Sequence, residues 1–77
     1  MANNNKPAHE VRIGSVRAAV WLNEGKNGPW HNVTITRTYQ DGDDYRETST
    51  YGIGELLAVA KAADLAHTWC LENRPAA

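Results

Sequence analysis

Cysteine is almost absent from this 77-residue chain, and its charges nearly balance. The single thiol, Cys70, excludes an intramolecular disulfide and a zinc site built on paired cysteines. Eight Lys and Arg stand against nine Asp and Glu, so the formal charge of -1 gives no general attraction to polyanions. No hydrophobic run is long enough to cross a bilayer, and the N-terminus lacks the apolar segment of a signal peptide. We therefore expect a soluble, cytoplasmic protein.

Residues suited to catalysis are also scarce. His9, His31 and His67 are far apart in sequence, and no glycine-rich phosphate loop follows a strand. The acidic segment D-G-D-D at residues 41–44 lacks the glutamate that would complete a calcium loop. The sequence therefore predicts a protein that is not an enzyme and that needs no metal and no cofactor.

The length allows one domain with a small core. Residues 1–9 are polar and Asn-rich, which predicts a disordered N-terminal tail, and residues 74–77 are expected to be a disordered C-terminus. The folded domain is then residues 10–73. Because a domain of this size buries only about 60 % of the surface that its unfolded chain exposes, packing against a second copy would add stability. We expect a homodimer.

Hydrophobic periodicity predicts four strands followed by one helix. Residues 11–22 alternate, with a change of phase at Gly14 and Ser15 that indicates either one bent strand or two short ones. Turn-forming residues at 23–29 and 41–44 separate this segment from a strand at 30–40 and a polar edge strand at 45–51. A period of 3.6 then indicates a helix at 54–73. The predicted fold is α+β: a four-stranded antiparallel (bent) sheet, covered on one face by a C-terminal helix, in the order β-β-β-β-α.

The predicted helix carries two apolar stripes. The stripe expected to cover the sheet consists of Leu56, Val59, Ala60, Ala63, Ala66, His67 and Cys70. Next to it lies a second stripe, and the helix-to-helix interface of the dimer is expected at Ala62, Leu65, Ala66 and Trp69. The alternative is that the alanines are half exposed and only favour the helix.

The open face of the sheet is the expected binding surface. The aromatic residues are three Trp and three Tyr without any Phe, so each has a polar group and suits a boundary between dry and wet surface. In the strands they alternate with Arg and Lys, which is the combination found on surfaces that bind single-stranded nucleic acid. Cross-strand pairs that only stabilise the sheet are the alternative. A one-residue slip of the strand register would move Arg17 and Trp21 to the covered face.

Three segments of the chain carry a resemblance to a known family. They are V-R-I-G-S-V-R-A-A-V-W at residues 11–21, E-G-K at 24–26 and N-V-T-I-T-R-T-Y at 32–39. Followed by one helix, they resemble the single-stranded-DNA-binding domain of the transcriptional coactivator family called positive cofactor four, over about residues 10 to 72. The resemblance implies a dimer that pairs through its helices and binds single strands along its sheets, with contacts from Arg17, Lys26, Trp30, Arg37 and Tyr39. The chain also resembles small uncharacterised bacterial proteins with an Arg-Ile-Gly start and an Ala-His-Thr-Trp helix end.

Two functions compete at this point. The first is a homodimeric module that binds single-stranded DNA or RNA weakly and without sequence preference, in transcription or replication. Phosphates would meet Arg17, Lys26 and Arg37, and bases would stack on Trp21, Trp30 and Tyr39. The second is a homodimeric protein-interaction module that uses the open sheet face or the edge strand and does not bind nucleic acid.

Overall fold

The computed structural model describes residues 6–75 and contains one sheet and one long helix. The strands are β1 (His9–Ile13), β2 (Val16–Gly25), β3 (Gly28–Asp41) and β4 (Asp44–Thr48). They pair antiparallel in the order β1-β2-β3-β4. A short 3-10 helix (Ile53–Glu55) leads into α1 (Leu56–Glu72). The predicted β-β-β-β-α fold is therefore confirmed.

The change of phase in the first predicted strand is a tight hairpin. Gly14 and Ser15 form a two-residue turn between Ile13 and Val16, so β1 and β2 are two strands and not one bent strand. Gly14 has a φ of +60°, and Gly42 has a φ of +65° at the equivalent first position of the turn between β3 and β4. Two-residue hairpins need a positive φ at this position, which glycine adopts without steric cost.

Helix α1 packs mainly over β1 and β2, and the core beneath it is small. The centre of the contact is formed by Ala62 and Ala66, which are both buried. The face of α1 that covers the sheet draws on both predicted stripes: Ala66, Val59 and Cys70 of the first pack there beside Ala62 and Trp69, whereas Ala60, Ala63 and His67 of the first are exposed. The fully buried core cluster consists of Val16, Ala18, Val20, Ala62 and Ala66.

The C-terminal half of α1 is held to the sheet by aromatic contacts. Trp69 stacks on His9 with ring centroids 4.8 Å apart and an angle of 3° between the planes, and His31 tilts against it at 5.3 Å. The backbone N–H of Ala8 donates to the carbonyl of Val20 at 2.7 Å. The sheet therefore begins inside the segment predicted as an N-terminal tail. Residues 1–5 of that tail and residues 76–77 of the predicted C-terminal tail lie outside the described residues.

Candidate nucleic-acid interface

The strand register decides which side chains lie on the open face. Residues that pair across neighbouring strands point to the same side of a sheet. Ala18 pairs with Ile35 and Val20 pairs with Val33, and the two β2 residues are buried under the helix. Because side chains alternate along a strand, Arg17 and Trp21 lie on the opposite, open face. The sequence left two registers possible for this strand. The structure has the register that places Arg17 and Trp21 on the open face.

Hydrogen-bonding side chains surround Trp21 on the open face. Its indole Nε1–H donates to Oγ1 of Thr34 at 3.0 Å. The amide of Asn23 donates to Oδ1 of Asn32 at 3.0 Å. Farther along β3, Thr36 and Thr38 add hydroxyl groups to this face and Gln40 adds an amide. This surface offers an indole edge, amides and hydroxyls, and among residues 6–75 no large aliphatic side chain is exposed on it.

Arg17 is the cation at the centre of the open face, and two carboxylates already contact it. Its Nε–H donates to the carboxylate of Glu10 on β1, and Nη1 lies 3.2 Å from Oε2 of Glu47 on β4. The hydrogen bond from Arg17 is the main reason why the pKa of Glu10 lies below its usual range, and the charge of Arg12, 3.8 Å away, lowers it further. With a side chain that is 20 % exposed, Arg17 is held between neighbouring strands and its charge is balanced locally.

Arg37 and Tyr39 lie on the other side of the sheet. Arg37 pairs with the buried Val16, so its side chain is on the face that carries the helix. Its Nε–H donates to the carbonyl of Thr50 at 3.2 Å and lies 4.0 Å from Oε1 of Glu55, while its guanidinium carbon is 5.8 Å from the centre of the Tyr39 ring. The structure therefore places five of the six predicted contacts on two opposite faces, because Arg17, Trp21 and Trp30 share one and Arg37 and Tyr39 share the other.

The hairpin between β2 and β3 carries the remaining predicted contacts. Lys26 is exposed in the turn, and no carboxylate within the described residues forms an ion pair with it. Trp30 is 50 % exposed and lies against Gly25, where an added Cβ would come within 3.0 Å of the ring. Trp30 also lines a shallow depression of about 340 Å³ together with Arg74. No pattern in the sequence indicates Arg74 as part of this surface, because an arginine beside a proline near the end of the chain does not show that the chain returns to the sheet.

The residues predicted for the dimer interface are largely used within the chain. Ala62 and Ala66 are buried against the sheet, and Trp69 stacks on His9. Only Leu65 of the predicted set is exposed. The apolar residues that α1 turns to solvent are instead Leu56, Leu57, Ala60, Ala63 and Leu71.

The part of the chain from residue 6 to residue 75 contains no cluster suited to a metal ion. Within it, no three His, Cys, Asp or Glu side chains lie close enough together to hold one. Neither helix in this range has the length and apolar character needed to span a membrane.

Comparison of the chain with protein-family models, with curated proteins and with solved structures finds no match. The resemblance to positive cofactor four stays a prediction.

Proposed function

We propose that this chain is a non-enzymatic homodimeric module that binds single-stranded nucleic acid weakly and without sequence preference on the open face of its sheet. The observation that carries the proposal is that Arg17, Trp21 and Trp30 share this face with the amides and hydroxyls of β3. Cations pair with phosphates and aromatic rings stack on any base, so the combination does not demand a sequence. Because the centre of a protein–protein interface is mostly apolar, this polar face suits nucleic acid better than a protein surface.

The carboxylates around Arg17 explain why the binding is weak. A phosphate must compete for the guanidinium with Glu10 and Glu47, which already neutralise its charge. The free energy gained is the difference between an Arg17–phosphate ion pair and an Arg17–carboxylate ion pair. Both pairs are weakened by salt. Arg74 lines the depression beside Trp30, and Lys26 is exposed in the turn before β3, so both add cations near this end of the sheet. We expect binding that is measurable at low ionic strength and that is lost as salt rises.

The experiment is a titration of a fluorescent single-stranded oligonucleotide of about 16 nucleotides, the upper site size of a small single-strand module. Fluorescence anisotropy is measured at several salt concentrations. Arg17→Ala is compared with Arg37→Ala, which makes the same substitution on the opposite face of the same sheet. We expect Arg17→Ala to weaken binding and to reduce the salt slope by about 0.7, the value for one phosphate contact on a single strand. Arg37→Ala should bind as the unsubstituted chain does.

Two results would contradict this proposal. One is the absence of binding to both DNA and RNA at low salt. The other is an equal loss of binding in Arg17→Ala and Arg37→Ala, provided that circular dichroism shows both variants to be folded. Equal losses would mean that net charge, and not the open face, accounts for the binding.

A protein-interaction module is the second candidate, and the edge strand β4 favours it. β4 pairs with β3 on one side only, and its Tyr45 is 73 % exposed. An exposed edge strand can receive a strand from another protein. Capture of one defined partner that persists after nuclease treatment, and that Tyr45→Ala abolishes, would support this function over the first.

A further inference from the structure

The longest strand of the sheet is paired along only part of one edge. β3 extends from Gly28 to Asp41, and β2 pairs with it as far as Arg37. On its other side β4 reaches only residues 37–41 of β3. For residues 28–36 of β3, no strand within residues 6–75 covers this second edge.

The register identifies the backbone groups that point out of this edge. Asp41 and Asp44 flank the two-residue turn and form a hydrogen-bonded pair, and such pairs recur at every second residue of an antiparallel ladder. Odd-numbered residues of β3 therefore point away from β2. Two contacts agree with this assignment: the Tyr51 hydroxyl donates to the carbonyl of Ile35, and the N–H of Thr38 turns the other way, to the carbonyl of Ser15.

His31 and Val33 consequently direct their N–H and C=O groups out of the sheet. Within the described part of the chain neither residue's outward backbone groups have a hydrogen-bond partner. Unpaired backbone groups of this kind are a template for an added strand. Residues 28–36 contain no Lys, Arg, Asp or Glu, whereas β1 carries Glu10 and Arg12 on its outer edge and β4 carries Glu47. Charged side chains therefore lie along the other two edges and are missing from this one.

We propose that a second copy of this chain pairs antiparallel along this edge, with Asn32 opposite Asn32 of the second copy. In this register His31 and Val33 exchange both backbone hydrogen bonds with Val33 and His31 of the second copy. The next pair is Ile35 with Pro29 of the second copy. Ile35 needs no donor there, because the Tyr51 hydroxyl already occupies its carbonyl, and Pro29 has no N–H to offer.

The two neighbouring registers fit less well. If His31 lay opposite itself, Pro29 would oppose Val33 and leave the Val33 carbonyl without a donor. If Val33 lay opposite itself, Pro29 would come opposite Arg37, whose outer edge already pairs with Thr48 of β4, and His31 would share the carbonyl of Ile35 with the Tyr51 hydroxyl. Only when the symmetry axis passes at Asn32 does Pro29, which has no N–H, lie opposite Ile35, whose carbonyl already accepts from the Tyr51 hydroxyl. Because the strand complements its own copy in this way, a second copy of the chain is the partner that best fits this edge.

Pairing at this edge joins the two open faces into one surface. In the proposed register Trp30 lies opposite Thr34 of the second copy. Side chains from both copies are therefore neighbours where the two open faces meet. The inference identifies the contact between the two copies in the homodimer proposed above, and to that extent it rests on the proposed function. Nucleic-acid binding plays no part in the pairing itself, so the two can fail separately.

Disulfide cross-linking tests the register directly. Asn32→Cys is prepared with Cys70→Ser, so that each chain has one thiol, and is oxidised without nucleic acid. Residues directly opposite each other in a non-hydrogen-bonded antiparallel pair have Cα atoms about 4.5 Å apart, within the range of a disulfide. The matched control is Thr34→Cys, whose thiol would be about 13 Å from its copy, four residues along the strand. We expect a covalent dimer from Asn32→Cys and a monomer from Thr34→Cys.

Light scattering on the reduced proteins provides the second measurement. The unsubstituted chain should be a dimer, and Val33→Pro should be a folded monomer, because the lost N–H points outward and proline is tolerated on a free edge. Failure of Val33→Pro to fold would leave the cross-linking result to decide. A monomeric unsubstituted chain, or equal cross-linking of Asn32→Cys and Thr34→Cys, would overturn the proposal. So would a dimer that Ala60→Cys on the exposed helix face links instead of Asn32→Cys.

Discussion

A comparison of two valines tests how the helix covers the sheet. Val20 and Val33 are paired across β2 and β3 on the same face, yet Val20 is 0 % exposed and Val33 is 38 % exposed. The difference arises because α1 packs mainly over β1 and β2. Substitution of each valine by alanine therefore makes the same chemical change in two environments that differ chiefly in the presence of the helix.

The expected losses of stability differ severalfold. Val20→Ala removes two buried carbon groups, worth about 1.6 kcal/mol of transfer free energy. The cavity that remains in a core whose largest buried side chains are Val16 and Val20 brings the total to roughly 2–3 kcal/mol. For a domain of this size the melting temperature should then fall by about 8–20 °C. Val33→Ala, half exposed on the strand, should cost less than about 1 kcal/mol.

Urea unfolding, followed by far-UV circular dichroism, measures both losses. The experiment is run at protein concentrations low enough for the chain to be monomeric by light scattering. Equal losses from Val20→Ala and Val33→Ala would refute the argument that the helix shields one valine and leaves the other open. At higher concentration both proteins should gain stability, because a second copy on the β3 edge would stabilise the folded state by mass action.

Three further predictions concern the open face and the first hairpin. Glu10→Gln combined with Glu47→Gln should release Arg17 and tighten oligonucleotide binding roughly three- to tenfold in the anisotropy assay. Because the pKa of Glu10 is lowered in the folded state, its contribution to stability is present above about pH 4.3 and is lost as the pH falls through the folded pKa. Urea titrations between pH 6 and pH 2 should show this loss, and Glu10→Gln should reduce it. Gly14→Ala should cost about 1–2 kcal/mol in the same unfolding assay, because its φ of +60° is unfavourable for a residue with a Cβ.

Each of these three predictions has a matched control. Glu24→Gln combined with Glu72→Gln changes the net charge equally but away from Arg17, so equal tightening would show that charge alone is responsible. An acid-induced loss that is identical in Glu10→Gln would assign the pH dependence to other carboxylates. Gly54→Ala is the control for Gly14→Ala, since an added Cβ meets nothing within 4 Å at that position. Equal stability of the two glycine variants would contradict the conformational argument.

Local patterns were sufficient to predict the elements and their order. Alternation predicted strands and the 3.6-residue period predicted the helix, because each depends on residues close together in the chain. The hairpin at Gly14 was only half predicted: a phase change with a glycine is compatible with a bend and with a turn. The two are distinguished by whether residues 9–13 pair with residues 16–20, and local sequence does not contain that information.

The rotation of the helix and the partners of the arginines were decided by the tertiary structure. Both stripes of α1 are apolar, so periodicity could not show that Ala62 of one stripe and Ala66 of the other face the sheet while Ala60 and Ala63 face solvent. Close packing against the small core residues of β2 decided it. Arg17 meets Glu47 thirty residues away only because β2, β3 and β4 lie side by side. The same pairing places Arg37 on the opposite face from Arg17. A binding surface predicted from residue types alone therefore combined residues that lie on different faces of the sheet.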